Sequence, residues 1–270
     1  MTTPADLRAR VAPPRGVIFD IDGTLLQDGR PLPGASRALA AVRAAGLPLR
    51  LATNTSRKPR SAVLADLVGA GLAVEASEVL TAPAATAAWL RAHGLDRVAL
   101  LLPPAVEEDF AGLEADRDAP RVVVVGDLGR AWDYEILDRA LAWLLEGAEL
   151  VAIHRNRTWR TGGGLHLDVG PFVAALEYAS GRRATVIGKP ARAFFELAAG
   201  SMGLEPAAVA VVGDDLEADV FGAMDAGAAG LLVRTGKFRE EDLSGAARRP
   251  DGVLGTVGDV AALVAAAGGR

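Results

Sequence analysis

Eight short apolar runs, continuous rather than alternating, constrain this chain more than any other feature. They read GVIFD, PLRLAT, RVALLL, RVVVVG, ELVAIH, ATVIG, AVAVVGD and AGLLVR. An unbroken apolar run suits a strand buried on both faces. Amphipathic helical stretches follow most of them. SRALAAVRAAG ends on a C-cap-like glycine, and KPRSAVLADLVGAG carries Pro59 near its first turn. Repeated βα units of this kind predict an α/β fold, with doubly wound parallel sheets and helices on their faces.

Polar residues end strand-like runs at Asp20, Thr53 and Asp214, and Lys189 follows another. Asp20 to Thr53 is about one βαβ unit, whereas Thr53 to Lys189 is roughly a hundred residues longer than one crossover needs. The excess, 83–183, has its own βα alternation and holds all four Trp, both Tyr and all three His. The expectation is a core domain in two parts, 1–82 and 184–270, interrupted by an inserted α/β domain at 83–183. One continuous large sheet is the alternative that length leaves open.

The chain has 270 residues, half of them hydrophobic, which is ample for such cores. Its net charge of −5 offers no basic field for nucleic acid or an anionic membrane. It has no cysteine, which excludes disulfides, thiolate metal sites and cysteine nucleophiles. The first residues show no apolar signal core, and no run reaches the ~20 apolar residues of a membrane span. A soluble cytoplasmic protein is the default expectation.

The run GVIFD leads into GVIFDIDGTLL, a buried strand ending in two aspartates, Asp20 and Asp22, before a Gly-Thr turn. In doubly wound sheets, ligands bind beyond the carboxyl ends of strands at the switch point. Two carboxylates ~4 Å apart repel by about 4 kcal/mol at an effective dielectric of 20. A divalent cation reverses that sign, and Mg²⁺ prefers a few carboxylates with water and phosphate oxygens. The plainer reading of Asp-Gly alone is a turn that closes the strand.

The full string resembles the nucleophile motif of the haloacid dehalogenase (HAD) superfamily, and the other motifs of that family appear in order. LATNTS resembles the second, GKP supplies Lys189, and VVGDDLEAD resembles the acidic fourth. TNTS, the large insert and GDLGRAWDYEIL resemble the class IIA branch, nitrophenylphosphatase-like enzymes with a C2 cap. Thr24 stands where many members of that branch carry Val. TGGGLHLDVGPFVAALEYASG and VRTGKF are most similar to the subgroup containing phospholysine phosphohistidine inorganic pyrophosphate phosphatase.

The resemblance implies a Rossmann-like core, a cap, and a Mg²⁺-dependent phosphatase acting on a small phosphorylated metabolite, pyrophosphate or a phosphoamide. Asp20 would attack phosphorus and form an aspartyl-phosphate, while Asp22 serves as general acid and then base. Mg²⁺ would be held by the Asp20 carboxylate, the Asp22 backbone carbonyl and Asp214. Lys189 would neutralise phosphoryl oxygens, and Thr53, Asn54 and Thr55 would hydrogen-bond them. Lys189 also stands out by scarcity, being one of three lysines (with Lys58 and Lys237) against 26 arginines. Asp219 would orient the lysine or a metal-bound water, and Asp215 would support the site. Either acid could instead serve the following helix, as a cap or a first-turn charge.

In the insert, the polar, basic and glycine-rich stretch HRNRTWRTGGGLHLDVG reads as a loop. Arg155, Asn156, Arg157 and Trp159 are its candidates for meeting a leaving group; the alternative is a surface loop whose Trp packs on the cap or at a homodimer interface. Trp89 and Trp143 fall in helical apolar stripes. His154 and His166 lack metal-ligand spacing, and His166 with Asp168 makes a poor triad without a placed serine. Two rival functions remain at this level: a phospho-acceptor signalling module without turnover, and a phosphomutase.

Overall fold

The structure, a computed structural model, describes residues 12–161 and 164–265. Residues 1–11, 162, 163 and 266–270 lie outside them. The chain forms two compact units. Unit 1 comprises Met1–Thr53, Ser61–Leu80 and Lys189–Arg270, and unit 2 comprises Asn54–Arg60 and Thr81–Gly188.

Unit 1 is built on a six-stranded sheet in the order Gly252–Leu254, Ala229–Val233, Val209–Gly213, Gly16–Asp20, Leu49–Thr53, Val79–Thr81. Gly16–Asp20 is parallel to both neighbours, with Phe19 opposite Val212 on one side and Leu51 on the other. From this central strand the order runs outward in two directions. The switch point therefore lies between Gly16–Asp20 and Val209–Gly213, and both strands deliver an aspartate there: Asp20 and Asp214.

All ten residues of those two strands are buried. Alternate residues feed opposite faces, as the period of two requires. Val17, Phe19, Ala210, Val212, Leu231 and Val233 join one apolar cluster. Leu232 joins a second cluster with Val220, Phe221 and Leu243. The helix Ala35–Ala44 turns Ala35, Ala38, Leu39 and Val42 inward, spaced as one helical face demands.

Unit 2 has a five-stranded sheet in the order Thr185–Val186, Glu149–Ala152, Val122–Val125, Arg97–Leu101, Glu114–Ala115, parallel throughout. The helix Tyr134–Glu146 starts where Asp133 Oδ1 accepts the Ile136 N–H at 2.8 Å. It buries Trp143 and Leu144 against Val123, Val125 and Val173. Trp89, placed by the sequence in a helical apolar stripe, is only partly buried and stacks on His93 at 4.0 Å.

Three features differ from the sequence reading. Thr185–Val186, placed by its run in the second part of the core, pairs with Glu149–Ala152 in unit 2. Both sheets are parallel and apolar, so a two-residue strand carries no mark of which edge it joins. Asn54–Arg60 groups with unit 2 although it directly follows a unit 1 strand. The stretch 158–167, read as loop, is an antiparallel hairpin pairing Thr158–Thr161 with Gly164–Leu167. Its glycines hid a short alternation. Among the described residues no helix is long and apolar enough to cross a membrane.

Leu39 is fully buried, so Leu39→Ala leaves a cavity. Urea denaturation should show a loss of about 3 kcal/mol in stability.

Candidate active site

Asp20 is the last residue of the central strand and is buried. Asp214 follows the neighbouring strand, and Asp219 returns to the same place through a π-helical turn at Leu216–Phe221. Such turns often mark functional sites. Asp215 caps that turn, accepting the N–H groups of Glu217 and Ala218 at 3.2 and 2.9 Å, and its own N–H donates to Asp219 Oδ2 at 3.1 Å. The helix-capping role and the place beside the site therefore coexist in Asp215.

One carboxylate oxygen from each of Asp20, Asp214 and Asp219 lies within 4.8 Å of the other two. Lys189 enters this cluster, with Nζ 2.5 Å from Asp20 Oδ1, 2.7 Å from Asp219 Oδ1 and 3.3 Å from the Ala52 carbonyl. All four side chains are buried. Three ionised carboxylates against one ammonium would leave two negative charges in a place that solvates charge poorly. Asp20 Oδ2 is buried and has no hydrogen-bond partner. An all-oxygen donor set whose charge one lysine does not balance fits a hard divalent cation such as Mg²⁺.

The electrostatics express the same imbalance. Burial, then the charges of Asp20 and Asp219, push Asp214 up to about 8. Burial and Asp20 push Asp219 up to about 6, against the pull of Lys189. Burial also raises Asp20, although Lys189 opposes it. Burial alone would lower Lys189, but Asp20 and Asp219 outweigh it and hold the ammonium charged.

Asp22 leaves the strand line, and its side chain is exposed. The buried Thr53 hydroxyl donates to Asp22 Oδ2 at 3.4 Å. The converging carboxylates are thus Asp20, Asp214 and Asp219, with the Asp22 side chain outside the group. Asn54 and Thr55 belong to unit 2.

Residues 235–237 were not singled out as site residues by the sequence. The Lys237 N–H donates to Asp214 Oδ2 at 2.6 Å, and its ammonium meets Asp215 Oδ2 at 3.0 Å. Thr235 Oγ1 donates to the Gly23 carbonyl at 2.6 Å. The resemblance of VRTGKF and the rarity of lysine were the signals that pointed there.

Within unit 2, the residues flagged for leaving-group contact are partly engaged already. Arg155 is paired with Glu177. Arg57 lies over Trp159, 4.2 Å from the ring centre, while bonding Asp127 at 2.5 Å. The Asn156 N–H donates to His154 Nδ1 at 3.4 Å, and Arg157 is exposed. Asp168 does approach a histidine, but it is His154. Ser56 Oγ lies 3.1 Å and Asp168 Oδ1 3.8 Å from His154 Nε2. Both meet the same nitrogen, whereas a proton relay needs them on opposite nitrogens.

The family described as haloacid dehalogenase-like hydrolase matches residues 17–115, and that described as HAD-hydrolase-like matches residues 186–260. The human haloacid dehalogenase-like hydrolase domain-containing protein 2 is 38% identical over 228 residues, covering 84% of this chain and 87% of its own. The human phospholysine phosphohistidine inorganic pyrophosphate phosphatase is 38% identical over 240 residues, covering 86% and 87%. The crystal structure of a 4-nitrophenylphosphatase from Thermotoga maritima matches with a TM-score of 0.86 at 29% identity, covering 94% of this chain and 98% of that one.

The raised acids give a signed pH prediction for chelator-treated protein. Between about 4 and about 8 the folded state holds a proton on Asp214 that the unfolded state has released, so stability falls as pH rises. Asp219 acts in the same direction over the lower part of that window. Mg²⁺ must displace these protons, so its stabilisation should grow between about pH 6 and about pH 8.5. Thermal melts with and without Mg²⁺ check this. A Mg²⁺ effect equal at both ends, or undiminished in Asp214→Asn, counts against the carboxylate cluster as the cation site.

Proposed function

The chain belongs to the haloacid dehalogenase-like hydrolases and is a phosphatase, and we propose that it is Mg²⁺-dependent and acts on a small phosphorylated metabolite through an aspartyl-phosphate on Asp20. The observation that carries this reading is the division of labour on the Asp20 carboxylate. Oδ1 is held by Lys189, while Oδ2 is buried and unbonded. A held carboxylate with one uncommitted oxygen is a positioned nucleophile.

Asp20 Oδ2 attacks phosphorus in line, forming the O–P bond of the aspartyl-phosphate as the bond to the leaving oxygen breaks. Asp22 delivers a proton to that oxygen. Its exposure gives it exchange with water, and the Thr53 hydroxyl orients it. Water then attacks phosphorus, Asp22 takes its proton, and phosphate departs with Asp20 regenerated. Lys189 offsets charge on the phosphoryl oxygens throughout, and Asp219 holds that ammonium in place.

Asp20, Asp214 and the Asp22 carbonyl would hold Mg²⁺, with Asp219 close enough to join them. When bound, the cation neutralises the carboxylates and the phosphoryl oxygens. Thr53, at the end of the neighbouring strand Leu49–Thr53, is assigned to phosphoryl binding. The relative that acts on phospholysine, phosphohistidine and inorganic pyrophosphate supports small P–N and P–O–P compounds as the first substrates to examine.

Hydrolysis of 4-nitrophenyl phosphate with Mg²⁺ tests the assignment. Asp20→Asn should lower kcat at least about a thousandfold. Turnover retained in a folded Asp20→Asn protein would falsify the nucleophile. Asp22→Asn should accumulate labelled phosphate on the protein and slow its release by about 10²–10⁴-fold. Wild-type protein that keeps the label without turnover would instead be an acceptor module.

A further inference from the structure

The chain leaving the strand Ala229–Val233 runs through Thr235-Gly236-Lys237, and each of these residues touches the catalytic centre. Thr235 Oγ1 donates to the Gly23 carbonyl, in the turn after Asp20 and Asp22, at 2.6 Å. The Lys237 N–H takes one oxygen of Asp214 at 2.6 Å. Gly236 lies between these two bonds. A Cβ added to it would stand 1.9 Å from Asp214 Oδ2 and 2.6 Å from Gly23 Cα. A Cβ on Gly23 would meet the same Asp214 oxygen at 2.1 Å. Both glycines also hold positive φ, +89° at Gly23 and +60° at Gly236, where side chains are strained.

Gly23, Gly236 and the Asp214 carboxylate are therefore in mutual close contact, bracketed by a hydrogen bond at either end. We infer that Thr235 and Gly236 are positioning residues, which with Lys237 N–H clamp the turn after the nucleophile to Asp214 and fix the direction its carboxylate faces. A carboxylate on a strand end can rotate; one with an oxygen held by an N–H and two backbones against it cannot swing freely. The turn that Thr235 grips contains Asp22, whose carboxylate and carbonyl both carry proposed roles. Misplacement of such groups by an ångström costs on the order of a hundredfold in rate. A loop serving only to connect two elements would not need three successive residues to bond or abut two separate motifs. This inference deepens the proposed function, since it takes Asp214 as a cation ligand.

The test compares Thr235→Val, which removes the donating hydroxyl, with Thr235→Ser, which keeps it. Two quantities are read: kcat and KM for 4-nitrophenyl phosphate, and Mg²⁺ affinity of the substrate-free protein by calorimetry. Thr235→Val should lower kcat and Mg²⁺ affinity about five- to tenfold with KM little changed, and Thr235→Ser should stay within about twofold of wild type. Gly236→Ala should weaken Mg²⁺ on the order of tenfold. If that variant fails to fold, the Thr235 pair decides alone. Wild-type values for Thr235→Val, or equal losses in Val and Ser variants, overturn the clamp while leaving the phosphatase reading intact. A wild-type protein that neither binds Mg²⁺ nor hydrolyses phosphate overturns both.

Discussion

The buried Lys189 ammonium between Asp20 and Asp219 is the interaction on which the centre depends. A carboxylate at the end of an apolar strand is costly, and three of them are costlier still. Lys189 compensates one charge and contacts two of the acids, at 2.5 and 2.7 Å. The remaining deficit is what makes the place attractive to a divalent cation and to nothing apolar. The topology supplies this arrangement at little further cost. A parallel sheet with a switch point leaves a crevice where two central strands diverge, and here one strand ends in Asp20 and the other is followed directly by Asp214.

Much of this was legible in the sequence. All eight apolar runs contain a strand, their shortness and β-branched content separating them from buried helices. Asp20 and Asp214 were readable as acids that terminate such runs, and Lys189 as a lysine in a chain that otherwise uses arginine. The edge strands Val79–Thr81 and Gly252–Leu254 were not, since three residues give no periodicity to read. Asp219 was ambiguous for a different reason. Its approach to Lys189 depends on a π-helical turn, and a spacing of five from Asp214 also suits an ordinary helix. Thr235 and Gly236 stood in the quoted segment VRTGKF, but a hydrogen bond to a carbonyl and close backbone contact leave no pattern along the chain that would give them a role.

Unit 2 shows how a local reading can name real residues and misjudge their surroundings. Arg155 and Trp159 stand in a basic, glycine-rich stretch, which suggested open recognition groups. Within the unit, Glu177 holds the first and Arg57 covers the second. Ser56 and Arg57 also explain why Asn54–Arg60 groups with unit 2. One bonds His154 and the other Asp127, and each link spans dozens of residues that sequence proximity cannot report. Of the four flagged positions, the structure leaves Arg155 and Arg157 exposed, the first of them paired with Glu177.

The separation of Asp20 and Lys189, 169 residues apart, has a consequence for how the molecule comes into being. On the ribosome the carboxylate is made first, and its counter-ion follows after roughly ten to thirty seconds of elongation at ordinary rates. Throughout that interval the central strand lacks its partner Val209–Gly213, and Asp20 lacks the ammonium that its burial requires. Thr81–Gly188, by contrast, is almost an uninterrupted stretch with its own sheet, ready to fold as it emerges. The insert is therefore synthesised in full before the centre it interrupts, and the charged crevice can close only after Val209–Gly213 has emerged.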